Sequence, residues 1–243
     1  MHDLRGRVCL VTGAGRRLGR AIAEGFGSAG ARVAVHYHGS AEGARQAAAA
    51  IEDAGSEARL FRADLAEPDA PAALVAEVAD SFGALDVLVN SAAVMLRTPL
   101  DSVTPAEWDA MMALNARAPF FMSLTAARRM GEGSAIVNIA DLAAFETWPA
   151  YVPHGISKAA VVQMTRALAR TLAPGVRVNA VAPGAVLLPD DWDEASAERL
   201  ARTTPLGRLG TARDVVDAVL YLAAAPYVTG ETLIVDGGRH VRR

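Results

Sequence analysis

The stretch Val8-Cys9-Leu10-Val11-Thr12-Gly13-Ala14-Gly15-Arg16-Arg17-Leu18-Gly19 reads as a short apolar strand. It breaks on a glycine-rich turn and runs on into a helix. A strand, a tight glycine turn and a helix start, in that order, form an anion site. Backbone N–H groups and the positive end of the helix then face a pyrophosphate. Such a turn alone is a weak signal, and an ordinary tight turn is the competing reading. Its place at the head of a longer alternating pattern gives it weight.

That pattern runs outward along the whole chain. Short β-branched runs predict strands at 8–11, 32–37, 58–61, 87–90, 135–139, 176–181 and 232–235. Helical spacing predicts helices at 20–29, 41–54, 70–82, 157–172 and 212–224. One long helix is expected over 107–130, with a kink at Pro119 or an irregular start. Strands alternating with helices imply βαβ units with right-handed crossovers. The expected fold is therefore α/β: a Rossmann-like, doubly wound, seven-stranded parallel sheet with helices on both faces. Residues 1–243 read as one domain, with a cofactor half near 1–140 and a substrate and catalytic half near 141–243. The acidic, weakly periodic segment 187–204 reads as a loop with a short helix, either a surface insertion or a lid.

Composition narrows the class. With 243 residues, 52% of them hydrophobic and 21% charged, the chain can bury a full core, and disorder is excluded. A net charge of −3 argues against a nucleic-acid partner. No apolar run spans a bilayer and the first residues lack a signal segment, so a cytoplasmic protein without a membrane partner is expected. Cys9 is the single cysteine, which excludes an intrachain disulfide and a cysteine-built zinc site. His36 and His38 lack a third nearby ligand, so no metal is expected. Of 24 cationic residues one alone, Lys158, is lysine. In a chain that otherwise uses arginine, a retained lysine suggests a need for a compact ammonium; a leftover surface lysine is the bland alternative.

These motifs resemble those of the short-chain dehydrogenase/reductase family, over essentially the whole chain. Asp64-Leu65 follows the third strand, where the family holds adenine. Asn90-Ser91-Ala92-Ala93 follows the fourth. Asn115 lies in the long helix, Pro183-Gly184 follows the sixth strand, and Asp236-Gly237-Gly238 ends the seventh. Arg17 stands where the family has its middle glycine, and His36-Tyr37-His38-Gly39-Ser40-Ala41 runs out of the second strand. Both features resemble the pteridine reductase subgroup. No carboxylate ends the second strand to hold ribose hydroxyls, whereas Arg16, Arg17, His38 and Ser40 offer donors and positive charge for a 2′-phosphate. NADP(H) is therefore the expected cofactor. By the resemblance its binding residues are Gly13, Gly15, Arg16, Arg17, Leu18, Gly19, His36, His38, Ser40, Asp64, Leu65, Asn90, Ala92, Lys158, Pro183, Gly184 and Val186.

The same resemblance places the chemistry in Tyr151-Val152-Pro153-His154-Gly155-Ile156-Ser157-Lys158. Lys158 falls on the family's catalytic lysine. Four residues earlier stands His154 instead of tyrosine, and Asp141 occupies the serine position; Asn115 is retained. Three readings compete. His154 is a general acid, oriented by Asp141, because an imidazolium donates a proton more readily than a phenol. Alternatively Tyr151 is the donor, on the same helical face if the helix includes it. Or the site is idle and the protein is a dinucleotide-binding sensor. The implied reaction is hydride transfer to a C=O or C=N group of a small cyclic substrate, with a pteridine among the candidates. Met95 falls where the subgroup stacks an aromatic ring on the pterin. Trp148, Trp192, Met95 and Leu187 are candidates for an apolar pocket or for plain core. The resemblance also implies a homotetramer.

Overall fold

The computed structural model describes residues 3–188 and 193–241. Seven strands form one sheet: β1 (Val8–Val11), β2 (Arg32–Tyr37), β3 (Ala58–Arg62), β4 (Val87–Asn90), β5 (Ser134–Ile139), β6 (Val176–Pro183) and β7 (Thr232–Val235). Their order is β3-β2-β1-β4-β5-β6-β7, and every neighbouring pair is parallel. The doubly wound arrangement expected from the sequence is therefore observed. Strand order reverses between β1 and β4, which pair Cys9 with Val87 and Val11 with Val89. A crevice at such a reversal, outside the carboxyl ends of the strands, is where ligands bind in open α/β sheets.

β1 shows why both faces must be covered. Cys9 and Val11 enter one core cluster and Val8 and Leu10 enter the other, the alternation of a strand buried on both sides. Helices α1 (Arg17–Ser28), α2 (Ala41–Asp53) and α8 (Ala212–Ala224) cover the first face. Helices α3 (Ala70–Phe82), α5 (Ala118–Ala127) and α6 (Val152–Leu172) cover the second. The other α-helices among the described residues are α4 (Pro105–Met112) and α7 (Glu194–Thr203).

Two helical expectations change. The long helix over 107–130 is divided: a π-helical turn, Ala113–Arg117, separates α4 from α5. Pro119 has no N–H to give the carbonyl of Asn115, and the ladder slips so that the N–H of Ala118 meets the carbonyl of Ala113. The helix expected from 157 begins at Val152. Pro153 sits in its first turn, where a missing N–H does no harm. Both shifts bear directly on the site.

Candidate active site

The glycine turn lies at the strand-order reversal. Gly13 has φ +68°, and a β-carbon there would stand 2.9 Å from Cα of Ala92. One on Gly15 would stand 2.7 Å from the carbonyl oxygen of Ser40. The turn thus rests directly on the loops after β4 and β2, which only glycine allows. Thr12 adds a tie: its Oγ1 accepts from the N–H groups of Ser91 and Ala92, each at 2.9 Å. The N-cap of α1 is Arg16, with no side-chain cap and no acid in the first turn, whereas α4 and α8 each carry a capping box. The first N–H groups of α1 therefore keep their donors for an anion. Gly19 is buried within α1 and Leu18 packs on the core.

His36 is not at the surface of this site. It is 2% exposed. Its Nδ1 accepts from the N–H of Gly13 at 3.1 Å, and its Nε2 meets the carbonyl of Ala63 at 3.2 Å. The proton must therefore sit on Nε2. Burial holds the ring's pKa down at about 4, with the Ala63 carbonyl pulling the other way. Expected as a cofactor contact, His36 instead buttresses the turn from behind, because β2 alternation points it inward. The side chains of Leu65 and Asn90 are likewise committed to the protein. Leu65 lies in the core, and Asn90 Nδ2 donates to Asn138 Oδ1 at 2.8 Å.

His38, by contrast, is exposed, with Nε2 3.8 Å from Asp64 Oδ2. Asp64 Oδ1 accepts from the N–H of Ala66 at 3.0 Å. Ser40 precedes α2 as its N-cap without capping it. His38 and Ser40 thus place donors just after β2, a set suited to a phosphate, and Arg16 lies exposed at the start of α1. Arg17 goes elsewhere: its guanidinium reaches the carbonyls of Leu187 and Leu188. Across the crevice, Pro183 ends β6 and the N–H of Gly184 donates to the carbonyl of Val235 at 2.9 Å. Val186 packs against the core.

The other group of residues gathers where β5 ends and α6 begins. Asp141 Oδ1 accepts from the N–H of Ala143 at 2.8 Å. Its Oδ2 stands 3.6 Å from Nε2 of His154. His154 is 2% exposed, and neither ring nitrogen has a hydrogen-bond partner among the described residues. A buried ring without a partner is rare in a folded protein and calls for an explanation; function is one. Lys158, one turn on, is 4% exposed and donates from Nζ to the carbonyl of Ile139 at 2.8 Å. Burial lowers its pKa from 10.5 to about 8, and the Asp141 carboxylate opposes that shift.

Asn115, set by the π-helical turn, is clamped on both sides. Its Oδ1 accepts from the N–H of Val94 at 2.9 Å, and its Nδ2 donates to the carbonyl of Val94 at 2.8 Å and to Ser157 Oγ at 3.1 Å. Ser157 Oγ in turn donates to the carbonyl of His154 at 2.7 Å. This chain joins α6 to the loop after β4. Val94 and Ser157 were not site candidates in the sequence, since a backbone group and a helix serine carry no motif of their own.

Tyr151 lies in a 3₁₀ turn, Pro149–Tyr151, as the residue before α6. The shared helical face that would pair it with His154 is therefore absent. Its ring meets Trp148 edge-on, with centroids 6.4 Å apart, and Trp148 Nε1 donates to Glu146 at 2.9 Å. Met95 is 48% exposed and Leu187 is also exposed, while Trp148 is half-buried. Trp192 lies outside the described residues. Among the described residues no group of histidines, cysteines and carboxylates could hold a metal ion, and no helix is long and apolar enough to cross a membrane.

A family model described as enoyl-(acyl carrier protein) reductase matches residues 13–240. The chain is 36% identical to 3beta-hydroxysteroid dehydrogenase 1 of Eggerthella lenta over 251 aligned positions, covering 97% of this chain and 94% of that protein. The structure of the angucycline C-6 ketoreductase LanV with bound NADP superposes with a TM-score of 0.92 at 34% identity, covering 99% of this chain and 98% of that one. A Serratia marcescens short-chain dehydrogenase/reductase gives a TM-score of 0.92 at 35% identity, covering 98% of this chain and 100% of that one.

Proposed function

The chain belongs to the short-chain dehydrogenase/reductase family, and on that premise we propose that it is an NADP(H)-dependent reductase with His154 as proton donor. Its substrate is a small cyclic carbonyl compound. One observation carries the reading: the Asp141 carboxylate stands 3.6 Å from Nε2 of His154, beside the buried ammonium of Lys158.

The residues fit the cofactor. The uncapped start of α1 and the glycine turn meet the pyrophosphate, and Arg16, His38 and Ser40 meet the 2′-phosphate. Bound NADPH supplies the hydride that reduces the carbonyl carbon. Lys158 holds the nicotinamide ribose, with its ammonium fixed by the Ile139 carbonyl. His154 gives a ring N–H proton to the oxygen of the reduced carbonyl, and Asp141, 3.6 Å from its Nε2, holds the ring in place. Asn115 positions α6 through Ser157. The protein acts in the cytoplasm as a homotetramer.

A pteridine-like C=N substrate belongs to the same reading through Asp141, which takes the serine position. Its support is thinner at the ring face, where exposed Met95 offers a thioether to a flat heterocycle.

The test is NADPH oxidation across pH with cyclic ketones, quinones and dihydrobiopterin. Turnover that weakens as pH rises, and that His154→Ala removes, supports the reading. Full turnover in His154→Ala overturns His154 as donor. NADPH binding without turnover on any substrate favours a dinucleotide sensor, consistent with the deep burial of His154.

A further inference from the structure

Arg17 holds a backbone conformation that a side chain disfavours. Its φ is +48°, and it is the one non-glycine residue at positive φ among those described. Glycine would take the same conformation without steric cost. A strained residue persists where its surroundings fix it, and such residues cluster at functional sites. The surroundings here are specific. Nη2 of Arg17 donates to the carbonyl of Leu188 at 3.1 Å and also to that of Leu187. These acceptors lie 170 residues away in sequence, on the far side of the crevice. The loop they belong to is anchored up to Val186. Gly184 is bonded to Val235, the carbonyl of Ala185 accepts from the N–H of Gly210 at 3.0 Å, and Val186 packs on the core. At the next two residues the guanidinium takes over.

We propose that Arg17 is a positioning residue for the substrate. Its guanidinium ties the loop after β6 to the cofactor turn and holds Leu187 as an apolar wall of the substrate site. This rests on the reading of the crevice as the cofactor and substrate site. It gives Arg17 a task different from phosphate binding, which Arg16 and the first N–H groups of α1 perform. The left-handed backbone aims the side chain across the crevice instead of along the helix.

The test compares Arg17→Gly and Arg17→Lys with the parent chain. Glycine keeps the backbone conformation and removes only the guanidinium, so folding is not at risk. Three readouts are taken: amide hydrogen exchange over 186–188 without cofactor, NADPH affinity by fluorescence, and kcat and KM separately. In Arg17→Gly, exchange and KM each rise about tenfold, the scale of losing a hydrogen bond to a charged group. NADPH Kd and kcat stay within about threefold, since neither depends on that bond. Arg17→Lys, which keeps a cation able to reach a carbonyl, lies between. Unchanged exchange in Arg17→Gly overturns the proposal, as does an NADPH Kd that rises as much as KM. If the parent chain turns over no substrate, the function proposed above fails, and exchange alone still decides the role of Arg17.

Discussion

The carboxylate of Asp141 and the imidazole of His154 face each other at 3.6 Å across the junction of β5 and α6, and the ring is buried with no hydrogen-bond partner on either nitrogen among the described residues. On the proposed reading this pair supplies the proton donor and the carboxylate that holds it.

His154→Ala lowers kcat by about 10²-fold or more, the contribution of a positioned general acid. His154→Tyr supplies a hydroxyl donor with a longer reach and keeps more activity than His154→Ala. Steady-state kcat of the three proteins makes the comparison.

Asp141→Asn keeps the shape and the acceptor for the Ala143 N–H but removes the charge. His154 loses the charge that faces it, and kcat falls about tenfold, at the lower edge of a charge-assisted interaction. Substrate KM changes little. A fall in KM alone, with kcat intact, contradicts the assigned role.

Lys158 gives a stability signature. Its pKa is about 8 when folded and 10.5 ordinarily, so between these values the unfolded chain binds more protons. Stability attributable to this group therefore rises with pH from about 8 to 10.5 and is flat outside that window. Lys158→Met lacks the rise. Chemical denaturation at several pH values measures it, alongside the loss of activity expected from removing the ribose contact.

His36 gives the acid-side counterpart. Held at about 4 against an ordinary 6.5, it leaves the unfolded chain with more protons between those values. Stability is intact above 6.5 and falls with pH down to about 4, by up to about 3 kcal/mol. His36→Gln shows a shallower acid slope, although its starting stability is lower because the Gly13 N–H loses a fitted acceptor.

His38→Asp places a second carboxylate beside Asp64 at the end of β2. It repels a 2′-phosphate and offers an acceptor to ribose hydroxyls. Preference for NADPH over NADH falls by about tenfold or more, the scale of a lost charged contact. The ratio of kcat/KM values for the two cofactors reads it out.

Much of this architecture is legible in the amino-acid order because it depends on local pattern. The strands at Val8–Val11, Arg32–Tyr37, Val87–Asn90 and Thr232–Val235 end where β-branched runs end. The catalytic candidates Asn115, Asp141, His154 and Lys158 come from the resemblance to the short-chain family's motifs. What escapes is whatever depends on a distant partner. Pro119 signals a disturbance, but the π-helical turn that orients Asn115 answers to Val94 and Ser157 as well. Pro153 hides the true start of α6, and with it the position of Tyr151. The inward turn of His36 follows from strand alternation, yet its bond to Gly13 needs the turn folded over it. The reach of Arg17 to Leu187 and Leu188 joins positions 170 and 171 residues apart, which no local window contains.

Cys9 offers one more consequence of the strand order. It lies in β1 between β2 and β4, fully buried, and burial pushes its thiol pKa well up. No second thiol competes with it. A thiol reagent reaches it only when the centre of the sheet parts, so the rate of its labelling clocks the rarest openings of the molecule. On the ribosome the same atom marks a milestone: β1 gains its second neighbour only once Val87–Asn90 has emerged, and from then on the nascent chain guards its own sulfur.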